Sequence, residues 1–214
     1  MATVSLDSLD LAALLCSRVC HDVISPVGAI VNGLEVMEEE GGDAEMKEFA
    51  LDLIRKSARQ ASARLQFARI AFGAAGSAGA AIDLGDAETV AKGFFNDDRT
   101  QLTWDARRML LPKNRVKLLL NLVVIAAQGI PRGGTIAVTV EGDEQASRFV
   151  VRAQGKAARV PTHAPALVAG EAEDGVVDAH AIQAYYTGLV ARAAGMGVGF
   201  ALDGDVVTIT AEPS

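Results

Sequence analysis

The chain begins with two long stretches in which apolar residues recur every three or four positions. In the first, from about residue 8 to residue 40, the recurring positions are Leu11, Leu15, Val19, Val23, Val27, Ile30, Leu34 and Met37. In the second, from residue 44 to residue 72, they are Met46, Phe49, Leu53, Ile54, Ala58, Ala61, Leu65, Ala68 and Phe72. This spacing is typical of amphipathic helices. Between them, residues 41–42 supply glycines that end a helix, and Asp43 can cap the next one. The sequence therefore predicts a long helical hairpin.

A helical hairpin of this length has more apolar surface than its two helices can bury against each other. Pairing two hairpins into a four-helix bundle covers both faces. We therefore expect the chain to form a homodimer through this region. Pro26 lies near the middle of the first helix, where it removes a backbone donor, and we expect a kink just after His21.

The second half of the chain has a mixed pattern of helices and strands. A run rich in glycine and alanine follows the hairpin and predicts a linker. Beyond it we expect helices at 86–95, 113–128 and 178–194, and strands at 101–105, 135–141, 147–153, 199–203 and 206–211. The last two strands are separated by Gly204-Asp205, which favours a two-residue hairpin turn. The predicted class is α+β, with the hairpin at 1–73, a linker at 74–82 and a second domain at 83–214.

Composition excludes several functional classes. Half of the residues are hydrophobic, which is enough for a core, while the net charge of -7 argues against nucleic acid and anionic membranes as partners. No apolar run approaches the roughly 18 residues of a membrane span, and the N-terminus lacks a secretory signal. We expect a cytoplasmic protein with protein partners.

The stretch CSRVCHDVISPVGAI, residues 16–30, places Cys16, Cys20 and His21 close together. A metal or haem site is one interpretation, and an exposed reactive imidazole is the other. The cysteine spacing is one residue longer than the c-type haem motif. Zinc needs about four ligands, and His163 and His180 occur in unrelated contexts. We therefore predict no metal and no cofactor, with the cysteines packed as small apolar residues.

The same stretch resembles the phosphoacceptor box of sensor histidine kinases, in which a histidine is followed by an acid and, five places on, by a proline. His21, Asp22 and Pro26 match this pattern. The resemblance implies that the hairpin is a dimerisation and histidine phosphotransfer domain. His21 would then be the phosphoacceptor, and it would have to be exposed.

The second half resembles the ATP-binding domain of these kinases, but it departs from the family at the nucleotide-binding positions. The segment 118–134 is similar to the asparagine box and keeps Asn121, while Ile125 replaces the metal-binding asparagine and Gln128 the following lysine. In the first glycine box Ala153 replaces the adenine-reading aspartate, and Ala157 replaces the second glycine. In the second glycine box, His180 and Ile182 stand at the positions where the family has glycines. Because phosphates and Mg²⁺ need exposed amides and oxygen ligands, we expect no ATP binding.

A kinase-like chain with an acceptor histidine and no nucleotide site resembles the bacterial histidine phosphotransferases of the ChpT type. The resemblance implies a helical hairpin in a dimeric four-helix bundle, followed by a degenerate ATPase-like α/β sandwich. It also implies phosphoryl relay through His21 between the receiver domain of a hybrid histidine kinase and the receiver domains of response regulators, which would supply Mg²⁺. A receiver-binding scaffold without covalent chemistry, or a response-regulator phosphatase, is the alternative.

Further residues beside His21 also have expected roles. Asp22 can accept a hydrogen bond from the second ring nitrogen of His21 and stabilise positive charge on the ring. A receiver should dock on the residues of the first helix that share the His21 face, which are Ser25, Gly28, Asn32 and Glu35. The second domain could add a contact surface through one of its arginines, for which Arg107, Arg108, Arg152 and Arg159 are the candidates.

Overall fold

The N-terminal half of the protein is a helical hairpin, as predicted. The computed structural model describes residues 2–39, 43–73, 81–95, 97, 99–172 and 176–214. Helix α1 spans Ser8–Glu38 and helix α2 spans Ala44–Ala71. The Asp7 carboxylate caps α1 by accepting from the amides of Leu9 and Asp10 at 2.8 and 2.9 Å. Asp43 caps α2 as expected, while the predicted glycine stop at 41–42 lies outside the described residues.

The two helices approach each other closely where α1 carries Gly33. A Cβ atom at this position would lie 2.7 Å from Cγ1 of Ile54 and 3.2 Å from the carbonyl oxygen of Ala50. Both distances are shorter than ordinary van der Waals contact, so only glycine fits the present spacing. Pro26 is also buried in this pair and stands inside a helix that is continuous through it.

The second half is built around a five-stranded sheet. Its helices are α3 (Leu84–Phe95), α4 (Lys113–Gln128), α5 (Ala164–Ala169) and α6 (Ile182–Ala194). With β1 (Ala2–Thr3) numbered first, its strands are β2 (Ala81–Asp83), β3 (Thr100–Asp105), β4 (Leu110–Pro112), β5 (Gly134–Glu141), β6 (Arg148–Gln154), β7 (Glu171–Ala172), β8 (Met196–Asp203) and β9 (Val206–Pro213).

The order of the main sheet is β3-β5-β6-β9-β8. The β3–β5 pair is parallel and the remaining pairs are antiparallel. Alternate residues of β5, β6 and β9 are fully buried beneath the helices, among them Ile136, Phe149 and Ile209. The predicted α+β class is confirmed, as is the β8–β9 hairpin across Gly204, whose φ of 54° suits the turn.

Short elements differ from the sequence expectation. Helix α5 lies outside the three helices predicted for this half, and α6 begins at Ile182 rather than at residue 178. Residues 81–82, at the end of the predicted linker of 74–82, belong to β2, which pairs with β4. The rest of that predicted linker, residues 74–80, lies outside the described residues. Two- and three-residue strands carry too little periodicity to be recognised before their partners are known.

The hairpin is joined to the second half by specific contacts. Phe67 of α2 packs on Phe94 and Phe95 of α3 with ring centroids 4.5 and 5.7 Å apart. At the end of α2, the carbonyl oxygen of Ala71 accepts a hydrogen bond from Nδ2 of Asn121 on α4 at 3.1 Å. Asn121 is fully buried and also accepts from Nε2 of Gln183 on α6. One buried polar network therefore links α2, α4 and α6.

The residues before α1 also pack on the second half. Strand β1 pairs with β7, and the amide of Val4 donates to the carbonyl oxygen of Gly170 at 2.9 Å. The amide of Leu6 donates to the Tyr185 hydroxyl at 3.2 Å. Residues 2–6 thus pack with the second half, although the sequence assigned them to the hairpin domain.

By length and composition α1 could cross a membrane, which the inspection of apolar runs did not anticipate. The core helix of a helical bundle passes the same test. One side of α1 packs on α2 through Pro26 and Gly33, and the helix carries an Arg18–Asp22 ion pair near its centre.

Candidate functional site

The imidazole of His21 projects from the middle of α1 into solvent. Its side chain is 87% exposed, so both ring nitrogens are accessible to a reacting partner. A helix is a rigid support, and residues on it point in directions set by its 3.6-residue period. The sequence expectation of an exposed imidazole at this position agrees with the geometry.

Asp22 lies next to the imidazole and is largely covered, with 23% of its side chain exposed. Its Oδ1 atom is 4.0 Å from Nδ1 of His21, which is longer than a hydrogen bond. Its Oδ2 atom accepts from Nε of Arg18, one turn earlier, at 3.2 Å. The carboxylate is therefore held by Arg18 while its other oxygen faces the imidazole.

Sequence reasoning missed Arg64, which reaches this site from α2. Its Nη1 atom donates a hydrogen bond to the backbone carbonyl oxygen of Asp22. The two residues are 42 positions apart, so no local motif connects them. The available signal was indirect: a proline at position 26 leaves the carbonyl four residues earlier without its helical donor.

The four residues predicted to form a docking face are all exposed on α1. Ser25, Gly28, Asn32 and Glu35 follow His21 at intervals of three or four residues along the same side of the helix. A Cβ atom at Gly28 would meet nothing within 4 Å, which leaves a flat, open surface below the imidazole. The arrangement brings the predicted residues together, and their role in docking stays a prediction.

The arginines proposed as further contacts are distributed over the second half. Arg107 and Arg108 lie between β3 and β4 and line a polar recess with Asp143, Glu144 and Gln145. Amide hydrogen bonds from Ala146 and Gln145, together with nearby Arg107 and Arg115, lower the pKa of Asp143. Arg152 is exposed on β6, and Arg159 is exposed in the loop after it. The four residues thus belong to separate parts of the surface.

The positions that hold nucleotide in histidine kinases have a different chemistry here. Ile125 and Ala153 are fully buried apolar side chains of the core. Ala157 has a left-handed backbone, with φ of 62°. None of these side chains offers an oxygen or amide ligand for Mg²⁺ or adenine.

The segment before α6 is already occupied by a carboxylate of the chain. Asp178 Oδ1 accepts from the amides of His180 and Ala181 at 2.9 and 2.8 Å. The hydrogen bond from the Ala181 amide is the largest cause that lowers the pKa of Asp178, and the hydrogen bond from the His180 amide lowers it further. Amides that could face a phosphate at this place are therefore bound within the protein, and the side chain of Ile182 is buried behind them.

Within the ranges that the structure describes, no group of three or more histidine, cysteine, aspartate or glutamate side chains is arranged to hold a metal ion. Cys16 and Cys20 are free and exposed on α1, so the expectation that they are packed is wrong for the described chain. The cysteines lie on the apolar stripe of α1 rather than on the His21 face, because they are one and five residues from His21 in a 3.6-residue period.

Comparisons with known proteins show the family of the chain. The family model described as the C-terminal domain of histidine phosphotransferases matches residues 84–206. A curated relative, the protein phosphotransferase ChpT of Brucella abortus (strain 2308), is 53% identical over 209 residues, covering 98% of each chain. A solved structure titled as a bacterial phosphotransferase superposes with a TM-score of 0.89 at 50% identity, covering 99% of this chain and 100% of that one.

An exposed histidine on a helical hairpin, joined to an α+β second half that matches the C-terminal domain of histidine phosphotransferases, is typical of a histidine phosphotransferase. The family match and the relative that covers nearly the full chain narrow this class to one family of histidine phosphotransferases. The chain belongs to the ChpT-type histidine phosphotransferases, and its activity is phosphoryl transfer in a phosphorelay.

Proposed function

We propose that His21 receives a phosphoryl group from the receiver aspartate of a hybrid histidine kinase and passes it to the receiver aspartates of response regulators. The single observation that carries this assignment is the 87% exposed imidazole on α1, beside Asp22. A buried ring could not approach a phosphoryl group held in another protein. The exchange takes place in the cytoplasm, where such receivers occur.

The transfer step follows from the chemistry of imidazole. The lone pair of an unprotonated ring nitrogen attacks the phosphorus atom of the aspartyl phosphate. The bond from phosphorus to the aspartate oxygen breaks, and its electron pair returns to that carboxylate. The ring then carries positive charge and a proton on its second nitrogen, which the nearby Asp22 carboxylate stabilises or accepts. The same steps in reverse deliver the group to the next receiver.

The docking partner completes the site. Phosphoryl transfer depends mainly on positioning and on neutralising the charge of the transferred group. The receiver contributes its aspartate and a bound Mg²⁺, and this chain contributes the histidine and the face formed by Ser25, Gly28, Asn32 and Glu35. The exposed carboxylate of Glu35 and the hydroxyl of Ser25 offer polar contacts, and Gly28 lets the receiver helices approach closely.

The chain functions as a homodimer in this proposal. Large apolar side chains remain exposed along α1 next to the His21 face: Leu9, Ile24, Val27, Val31 and Leu34. Three more are exposed on α2: Met46, Phe49 and Leu65. The exposure of Ile24 is 69% and that of Phe49 is 68%, which is unusual for a soluble monomer over so continuous a surface. A second hairpin would cover these side chains in a four-helix bundle.

ATP has no part in the proposed reaction. The core positions of Ile125 and Ala153 and the occupied amides before α6 support this view. The chain then depends on a partner for its phosphoryl group, which is the condition for a relay protein rather than a kinase.

The assignment is tested by mixing the purified chain, without ATP, with a receiver domain that carries a radiolabelled aspartyl phosphate. Wild type should acquire an acid-labile, base-stable label, and His21→Ala should acquire none. Asp22→Asn should be labelled roughly a hundredfold more slowly, because it keeps the shape of the carboxylate without its charge.

Receiver binding is measured in parallel by titration calorimetry. If wild type binds the receiver and stays unlabelled while the receiver loses its phosphate, the chain is a phosphatase. If the receiver also keeps its phosphate, the chain is a scaffold. Either result contradicts the proposal.

A further inference from the structure

Pro26 changes the hydrogen bonding of the helical turn that carries His21. In an α-helix the amide of residue 26 would donate to the carbonyl oxygen of residue 22. Proline has no amide hydrogen, so the carbonyl oxygen of Asp22 loses this donor. A partly buried carbonyl without a partner costs free energy, and the turn that holds it can distort to reach water or another donor.

Arg64 replaces the missing donor from the neighbouring helix. Its guanidinium Nη1 donates to the carbonyl oxygen of Asp22. Arg64 is half-buried on α2, in a part of the hairpin where Pro26 is buried on the facing helix. A charged donor to a carbonyl is among the stronger protein hydrogen bonds. The hydrogen bond lost at Pro26 is thus regained between the helices instead of within α1.

Asp22 is consequently held at both its main chain and its side chain. Arg64 binds the carbonyl oxygen, and Arg18 binds the carboxylate at 3.2 Å. His21, the preceding residue, is 87% exposed and gains little orientation from its own contacts. The direction of its imidazole therefore depends on the backbone of this turn.

We propose that Arg64 is a positioning residue for phosphoryl transfer: by supplying the donor that Pro26 removes, it fixes the turn that presents His21 and Asp22 to a receiver. The geometry of in-line transfer is demanding, and a displacement of about 1 Å at a reacting group can cost about a hundredfold in rate. The inference rests on the proposed role of His21 and adds the residue that holds it in place.

The test is a double-mutant cycle between positions 26 and 64. Arg64→Ala should slow labelling of His21 roughly tenfold or more. Pro26→Ala restores an amide that can donate to the Asp22 carbonyl, so adding Arg64→Ala to Pro26→Ala should slow labelling much less, within about threefold. Exposed Arg55→Ala removes a cation from the same helix and should leave the rate unchanged. Arg64→Lys, which keeps a charged donor, should recover part of the rate.

Two donors separate positioning from docking. Phosphoramidate is a small donor that needs no docking surface, and a phosphorylated receiver needs one. Loss of rate with both donors supports the proposal, whereas loss with the receiver alone would show that Arg64 contacts the receiver and would overturn it. An equal loss in the wild-type and Pro26→Ala backgrounds would overturn it as well, since the cost would then be independent of the missing amide.

A direct structural readout keeps the proposal separate from the assignment of His21. The carbonyl carbon resonance of Asp22 should shift in Arg64→Ala and shift far less when Pro26→Ala is also present. Gly33→Ala, which disturbs the same helix pair elsewhere, serves as the control for lost stability and should leave that resonance in place. If wild type is never labelled but the Asp22 resonance shows this coupling between positions 26 and 64, the proposed relay through His21 is wrong. The role of Arg64 in shaping the turn then still stands. An unchanged resonance in Arg64→Ala would contradict that role.

Discussion

At the scale of single residues, the proposed reacting pair, His21 and Asp22, is visible in the sequence, whereas the residue that supports it, Arg64, is not. His21, Asp22 and Pro26 fall within six positions, so a local motif contains them. Arg64 lies 42 residues from Asp22, and its role depends on how two helices pack. The motif could therefore indicate which carbonyl lacks a donor, but not which side chain of the fold supplies one.

Ala157 has a backbone conformation that its Cβ atom disfavours. Its φ of 62° is the left-handed conformation that glycine adopts freely and that alanine adopts at a cost. We predict that Ala157→Gly raises the free energy of unfolding by about 0.5–1 kcal/mol, the relief of strain exceeding the added flexibility of the unfolded chain.

Urea denaturation of the two proteins measures this difference. Ala158→Gly is the matched control, because its backbone is not left-handed, and it should lower stability instead. A lower stability for Ala157→Gly as well would show that the turn carries no strain.

At the scale of elements, the long helices were the most predictable feature. Periodicity over many residues identified α1, α2 and α4, and the Asp43 cap marked where α2 begins. Strands β1, β2, β4 and β7 escaped prediction because each has two or three residues and is defined by a distant partner. Helix α5 has six residues, one of them Pro165, so its apolar period is too short to recognise.

Two glycines of α1 illustrate opposite demands on one helix. Gly28 faces open space, so Gly28→Ala should raise the free energy of unfolding by about 0.5–1 kcal/mol through helix propensity. Gly33 touches Ile54, so Gly33→Ala should lower it by about 1–3 kcal/mol through overpacking. Thermal and urea unfolding measure both changes, and the opposite result at either position would contradict the packing described here.

A substitution at Gly28 also tests the proposed docking face. Gly28→Trp places a large side chain on the proposed docking face and should slow transfer from a receiver roughly tenfold or more. Its labelling by phosphoramidate should match wild type, because this donor does not dock. Unimpaired transfer from the receiver would remove Gly28 from the docking face.

At the scale of the whole molecule, oligomeric state follows from the apolar stripe on the hairpin. We predict that the protein has twice its chain mass of 22.3 kDa in solution, and that Val31→Asp converts it to monomer by burying a charge in the interface. Light scattering during gel filtration measures both masses. Leu202→Asp, at an exposed apolar position on β8, is the matched control and should stay dimeric. A monomeric wild type would show that the stripe has another partner.

The sequence also predicts a loss of nucleotide chemistry, since the residues Ile125, Ala153 and Ala157 can be read directly. It could not anticipate how the amides before α6 are used. The Asp178 carboxylate that binds them is two and three residues away from His180 and Ala181. Such a turn becomes visible only when the backbone is folded, because many aspartates precede helices without taking this position.

The pairing of β1 with β7, together with the Leu6–Tyr185 hydrogen bond, gives the second half a further attachment besides the end of α2. With its two halves held in one orientation, this chain can present every surface that a receiver uses before that receiver arrives. The entropy of arranging those surfaces is then already included in folding and is not subtracted from each binding event. Weak, brief encounters can accordingly remain specific, which suits a protein that must release each partner after a single transfer.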